Sequence, residues 1–108
     1  MSLDILRHNF EKQAEELGLV TYSFDDDPGQ IHEPHSHGRV DILTISGTAE
    51  LRLGKEPWLP VCAGEVTVIP AGVEHRAIAG QDGWGYVLAC TEDEARNQGF
   101  GTPIILDK

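Results

Sequence analysis

An all-β fold is predicted for this chain, a double-sheet roll of short strands preceded by one α-helix, and three observations predict it. From Leu19 to Cys90, short β-branched and aromatic runs are separated at nearly regular intervals by clusters of Gly, Pro and Asp, the pattern of a sandwich or closed roll. Thr48 to Leu53 alternates strictly, with Ala49, Leu51 and Leu53 on one face and Thr48, Glu50 and Arg52 on the other. One face of that strand meets a core and the other meets water. At the start of the chain the period changes, and Leu3, Leu6, Phe10, Ala14 and Leu17 recur at spacings of three or four, an apolar stripe on a helix.

The elements follow in order. Ser2 suits the N-cap of the first helix and Gly18 its C-terminal stop; the helix is expected to pack outside the sheet with His8 exposed. Leu19 to Phe24 reads as a strand ended by Asp25-Asp26-Asp27-Pro28-Gly29, a solvated turn. These aspartates lack the alternating spacing and distal Glu of a calcium loop. Gln30 to His37 is extended, as Pro34 demands of its neighbour. Val40 to Ser46 is an apolar strand, Gly47-Thr48 turns the chain, and the alternating strand follows. Gly54 to Gly64 is a connection with Pro57, Trp58 and Pro60. Glu65 to Ile69 and His75 to Ala79 are short strands joined by Pro70-Ala71-Gly72. Gly80 to Gly83 turns again before Trp84 to Cys90, which makes about seven strands. Thr91-x-x-Glu94 matches a capping box and Gly99 a stop, so a short helix belongs here. Pro103 to Leu106 is apolar enough for an edge strand or a strand exchanged with a second subunit.

At 108 residues the chain fits one domain, divided into a helix over 1–18, a β-barrel over 19–90 and a C-terminal segment over 91–108; a tandem of two such barrels does not fit. Eighteen acidic against eight basic residues give a formal net charge of -10, which repels phosphate backbones and anionic lipid. Nucleic acid and membrane are therefore not expected as partners. No apolar stretch approaches the ~18 residues of a membrane span, and the N-terminus lacks a basic segment followed by an apolar run, so a cytoplasmic protein is expected. Cys62 and Cys90 do not form a disulfide framework and read as buried reduced thiols, with Cys90 open to a place near a pocket mouth.

The chemistry is concentrated in two segments, Gly29-x5-His35-x-His37-x3-Asp41-x5-Gly47 and Gly64-x5-Pro70-x-Gly72-x2-His75. His35 and His37 are two apart, so in an extended strand both rings project to one side. Asp41 keeps the same parity and offers a hard anionic donor. His75 is distant in sequence, and only folding brings it near. Three imidazoles and a carboxylate suit a divalent transition metal, Fe, Mn, Ni, Co, Cu or Zn, with open positions left for a ligand.

These residues resemble the two signature motifs of the cupin superfamily: a Gly, five residues, His-x-His, a carboxylate and a Gly, then Gly, five residues, Pro-x-Gly-x-x-His. The second motif is kept through Gly64, Pro70, Gly72 and His75, with Ala79 in place of a common Asn. In the first, Asp41 stands where the family has Glu, and five residues rather than six separate it from Gly47. The resemblance implies a double-stranded β-helix, a jelly-roll barrel, with His35, His37, Asp41 and His75 around a metal.

Such a barrel holds one small ligand, so the partner expected is a small molecule. Two function classes follow. One is a metal-dependent enzyme acting on an oxygen-donor substrate, dioxygenase-like or an isomerase or lyase; the other is a module that holds a small molecule or metal without turnover. No catalytic residue is assigned. His32 falls on the opposite strand face from His35 if the strand is regular. Arg39 either points into the mouth toward an anionic substrate or is exposed, and Glu74 is either a base or a turn residue. Trp84, Tyr86 and Leu88 share one face, as do Val66 and Val68, and either row can line the pocket or pack the core. The resemblance to small cupins further implies a homodimer, with Ile104-Ile105-Leu106 as the local candidate for its contact.

Overall fold

Two long strands decide the architecture, and each contains a glycine that lets it bend without breaking its ladder. The computed structural model describes residues 2–99, in the order α1 (Leu3–Glu16), β1 (Val20–Asp26), β2 (Ile31–His35), β3 (Val40–Leu53), β4 (Leu59–Cys62), β5 (Val66–Ile69), β6 (His75–Cys90) and α2 (Glu92–Asn97). Every pairing is antiparallel. The first half of β3 lies against the second half of β6, from Asp41 opposite Ala89 to Thr44 opposite Tyr86, and its second half lies against the first half of β6, from Ala49 opposite Ala79 to Leu53 opposite His75. β1 and β5 extend one end of this double strand, β1 on β6 and β5 on β3. β2 and β4 extend the other end in the same way. The result is two layers that share their central strands, a double-stranded β-helix of the jelly-roll type with an N-terminal helix outside it.

The bend merges two pairs of the expected strands, and Leu59–Cys62, within the expected Gly54 to Gly64 connection, pairs with β3 as a strand of its own, so the described residues form six strands rather than about seven. Turns were expected at Gly47-Thr48 and Gly80 to Gly83, yet both stretches lie within continuous strands whose register shifts between Thr44 and Ser46 and between Gly47 and Ala49. Gly47 has φ 67° and a Cβ there would run into the Gly83 carbonyl. Two strands can cross that closely only where a side chain is missing and a left-handed conformation is tolerated. The sequence signals a change of direction at these glycines; the ladder absorbs it as a bend.

Local chemistry sets the helix boundaries. Ser2 Oγ accepts a hydrogen bond from the Ile5 amide, Leu17 is the C-cap, and Gly18 follows with φ 77°. α1 packs on β1, β3 and β6 with Ala14 buried and His8 exposed. At the other end, Thr91 Oγ1 accepts from the Glu94 amide and opens α2. No helix among the described residues is long and apolar enough to cross a membrane.

The core lies between the layers and includes Val40, Ile42, Leu51, Val61, Ile69, Ala77, Trp84, Tyr86 and Leu88. Burying one Leu or Val side chain of this kind stabilises the fold by about 1.5–3 kcal/mol. Trp84, Tyr86 and Leu88 face inward as one row, whereas Val66 and Val68 on β5 are exposed. Cys90 is buried and Cys62 is not, so the expectation of two buried thiols holds only for Cys90. Pro103 to Leu106, including the apolar triplet expected at a dimer contact, lies outside the described residues.

Candidate metal centre

His35 is placed by the β2–β6 ladder directly opposite His75, and His37 lies just beyond the end of β2. The Gly72 amide, in the Pro70-Ala71-Gly72 turn, donates to the His37 carbonyl at 2.8 Å. Gly72 has φ 77°, a left-handed conformation that glycine adopts without steric cost. In this way the turn that leads to His75 also fixes the backbone of His37. The ring centroids are 4.4 Å apart for His35 and His75, 4.5 Å for His37 and His75, and 5.1 Å for His35 and His37. One donor nitrogen from each ring lies within 4.8 Å of the other two.

The orientation of each ring is fixed from behind. His35 Nδ1 donates to the Glu33 carbonyl at 2.6 Å, His37 Nδ1 to the Gly38 carbonyl at 2.6 Å, and His75 Nδ1 to the Val73 carbonyl at 3.0 Å. A carbonyl can only accept, so Nδ1 carries the hydrogen in all three neutral rings and Nε2 keeps its lone pair. Burial of His75 pushes its pKa below the ordinary 6.5, the Val73 hydrogen bond opposes this, and His35, His37 and His32 add to the lowering. His75 is thus biased toward the neutral form that a cation needs. Three imidazole nitrogens gathered in this way fit a divalent transition metal, which His35, His37 and His75 would hold.

Asp41 does not join the cluster. Val40 and Ile42 both face the interior, so Asp41 between them faces out, where its carboxylate accepts from Arg39 Nε at 3.0 Å and Arg39 Nη2 at 3.4 Å. The parity shared with His35 and His37 on paper is reset by the irregular step from Ser36 to Arg39 between β2 and β3. With it goes the idea of Arg39 as a residue of the mouth. Glu74 is turn-exposed, and its carbonyl accepts from the Gly54 amide.

Two residues not assigned to the site do face it. The cavity that contains the three histidines has a volume of about 230 Å³ and is also lined by Asp26 and His32. A register irregularity between His32 and His35 brings His32 onto the cavity side despite its odd spacing. Asp26, read as part of a solvated turn, instead ends β1, and its side chain is only 6% exposed. The signal for Asp26 was present: it continues the every-other-residue row of Tyr22 and Phe24. Asp26 Oδ2 and His32 Nε2 are 2.6 Å apart. Burial and the Asp26 carboxylate push the Tyr86 phenol upward, so it stays protonated. At the mouth, Gln98 Nε2 donates to Glu94 Oε2 at 2.9 Å beside His35, His37 and Gly38. Cys90 is not at this mouth; burial, with Glu94 nearby, pushes its thiol up to about 11, leaving it unreactive.

Fold and site together define a class, a β-roll that gathers three imidazoles in the wall of a small cavity. Solved structures narrow it. A cupin-like protein from Thermotoga maritima is 22% identical, with 79% of this chain and 76% of that one covered at a TM-score of 0.63. A conserved protein with a double-stranded β-helix domain from Klebsiella pneumoniae is 27% identical, with coverages of 67% and 65% and a TM-score of 0.59. Oxalate decarboxylase from Bacillus subtilis, an enzyme with Mn(II) centres, is 25% identical over 67% of this chain at a TM-score of 0.60. The present chain spans only 20% of the length of that enzyme. No protein-family model and no curated protein matches the sequence. The chain has the double-stranded β-helix fold of the cupins.

Proposed function

We propose that this protein is a metal-dependent cupin that holds a divalent transition metal through His35, His37 and His75 and acts on a small oxygen-donor molecule, as a dioxygenase-like oxidoreductase or as an isomerase or lyase. One observation carries the metal reading: all three rings are tied through Nδ1 to backbone carbonyls, which leaves three Nε2 lone pairs in one cluster. Such backing of ligand imidazoles is what fixes tautomer and direction in metal sites. A divalent ion there supplies Lewis-acid polarisation of a coordinated oxygen and, for Fe or Mn, redox chemistry.

The chain's own residues define what reaches that point. Leu51, Ile69, Leu88 and the rings of Phe24, Trp84 and Tyr86 make the lining mostly apolar, which favours a compact, partly apolar ligand and excludes bulk water. Without Asp41, the donor set is neutral. A divalent ion held by these three histidines would keep its full charge.

The same apolar lining favours a second reading, a module that retains a metal or small molecule without turning it over. The experiment that separates them starts from anaerobically purified protein, which is expected to hold about one equivalent of divalent transition metal per chain. His75→Ala is expected to lose most of it, and equal content in both proteins rejects the site. Fe(II)-loaded protein is then tested for oxygen uptake with catecholic and diketone compounds. Uptake supports the enzyme; tight metal retention with no uptake across the panel supports the module. We also propose a homodimer, as the resemblance to small cupins implies; light scattering is expected to give twice the 11.8 kDa of one chain.

A further inference from the structure

The cavity has a second polar point that the metal cluster does not use. Asp26 is buried, its side chain 6% exposed, and its carboxylate is held at 2.6 Å by His32 Nε2, while the His32 side chain remains 33% exposed. Burying a carboxylate is costly unless it is paired and hydrogen-bonded, and here its partner is a ring that also lines the cavity. The carboxylate accepts, so in the neutral ring Nε2 donates and Nδ1 becomes the acceptor. Among the described residues no hydrogen-bond partner occupies His32 Nδ1. His32 and Trp84 meet in a T-shaped contact, with ring centroids 6.4 Å apart at 89°, which sets the imidazole against the aromatic wall.

The position of this pair relative to the cluster matters. His32 pairs with Ala77 and His35 with His75, so the bulge leaves the two positions facing β6 residues only two apart, roughly 7 Å along the strand, and the cavity that both rings line is walled by Trp84, Tyr86, Phe24 and Leu88. No Lys or Arg lines the cavity among the described residues, and Arg39 is turned out onto Asp41. A ligand with one end on the metal therefore finds at its far end an acceptor nitrogen backed by a negative charge, with no cation to receive an anion. Like charges in a partly dry cavity repel strongly.

We propose that Asp26 and His32 form a distal recognition point, at which a ligand seated by its oxygen donors on the three-histidine centre presents a hydroxyl or amino hydrogen to His32 Nδ1 and from which a far-end carboxylate is rejected. The proposal rests on the metal-binding function above and names its substrate class: compact molecules with an oxygen-donor head, an apolar middle and a neutral hydrogen-bond donor at the other end.

The test uses Co(II)-loaded protein, whose visible absorption reports metal binding before any ligand is added. Two probes share a catechol head and differ at the far end: 3,4-dihydroxybenzyl alcohol and 3,4-dihydroxybenzoate. The wild type is expected to bind the alcohol at least tenfold more tightly than the acid. His32→Lys keeps a donor toward Asp26 but carries no acceptor, and is expected to reduce that ratio at least fivefold while the cobalt spectrum stays intact. Asp26→Asn is expected to restore binding of the acid. Because each protein carries the same ion, the preference of cobalt for either head cancels in the ratio. A wild-type ratio near one, tighter binding of the acid, or a ratio that survives both substitutions overturns the proposal. Absence of a cobalt spectrum in the wild type is a separate result: it overturns the metal-binding function itself, and the distal point with it.

Discussion

Asp41 and His75 were both candidate ligands in the sequence, Asp41 with a departure from the motif in residue type and spacing, and the structure separates them, so substitutions at the two positions have opposite expected outcomes. Asp41→Asn breaks only an outward pair with Arg39, whose side chain is 64% exposed; solvent-exposed pairs of this kind add little to stability. Metal content and unfolding midpoint are both expected to stay close to wild type, and elemental analysis with a urea titration checks this. Loss of metal in Asp41→Asn returns the carboxylate to the site. His75 carries a pH dependence. Its pKa is lowered in the folded protein by burial, so above about pH 6.5 the ring is neutral in both states and costs nothing. Below that value the unfolded chain takes up a proton that the folded chain resists, and stability falls as the pH drops toward the depressed folded value. Thermal unfolding of metal-free protein near pH 7.5 and 5.5 is expected to show a larger loss for wild type than for His75→Gln; equal losses remove His75 from the account.

Glycines do different work in different elements, which gives a contrast to measure. Gly47 and Gly72 both have positive φ, but a Cβ at Gly47 meets the Gly83 carbonyl, whereas one at Gly72 meets open space. Gly72→Ala is expected to cost about 1–2 kcal/mol, the strain of a left-handed alanine. Gly47→Ala adds a backbone collision at the crossing of β3 and β6 and is expected to cost more than about 3 kcal/mol. Denaturant titration of both variants tests it, and similar losses would show that the crossing is less tight than described. The same elements show what was legible beforehand. The alternation of Ala49 and Leu51, the caps at Ser2 and Thr91, and the inward row of Trp84, Tyr86 and Leu88 were readable because each depends on neighbours within one element. The continuity of β3 and β6 was not, since a glycine pair reads the same whether the chain turns back or bends across a partner strand.

For the whole molecule, the three histidines join the end of β2 to the start of β6, so an ion on them ties two parts of the roll together. A ligand that binds only the folded form stabilises it by mass action, about 2.7 kcal/mol at a hundredfold excess over Kd. Addition of Co(II) or Mn(II) is expected to raise the unfolding temperature of wild type and EDTA to reverse it, with no such response in His75→Ala. An equal rise in both proteins indicates binding elsewhere, a real alternative for a chain with a net charge of -10.

The sequence by itself determined the class of fold, the helix at its start and the three imidazoles, because strand alternation, turn residues and the two spaced motifs are local properties that survive being written in one line. It also offered Asp41 by parity and set aside His32 and Asp26 by the same counting. Only the tertiary structure decided those three. Parity holds within a regular strand, and it was lost where the backbone between β2 and β3 is irregular and where the β2–β6 register slips, so which side chains share a cavity became a matter of how strands meet rather than of how residues are spaced.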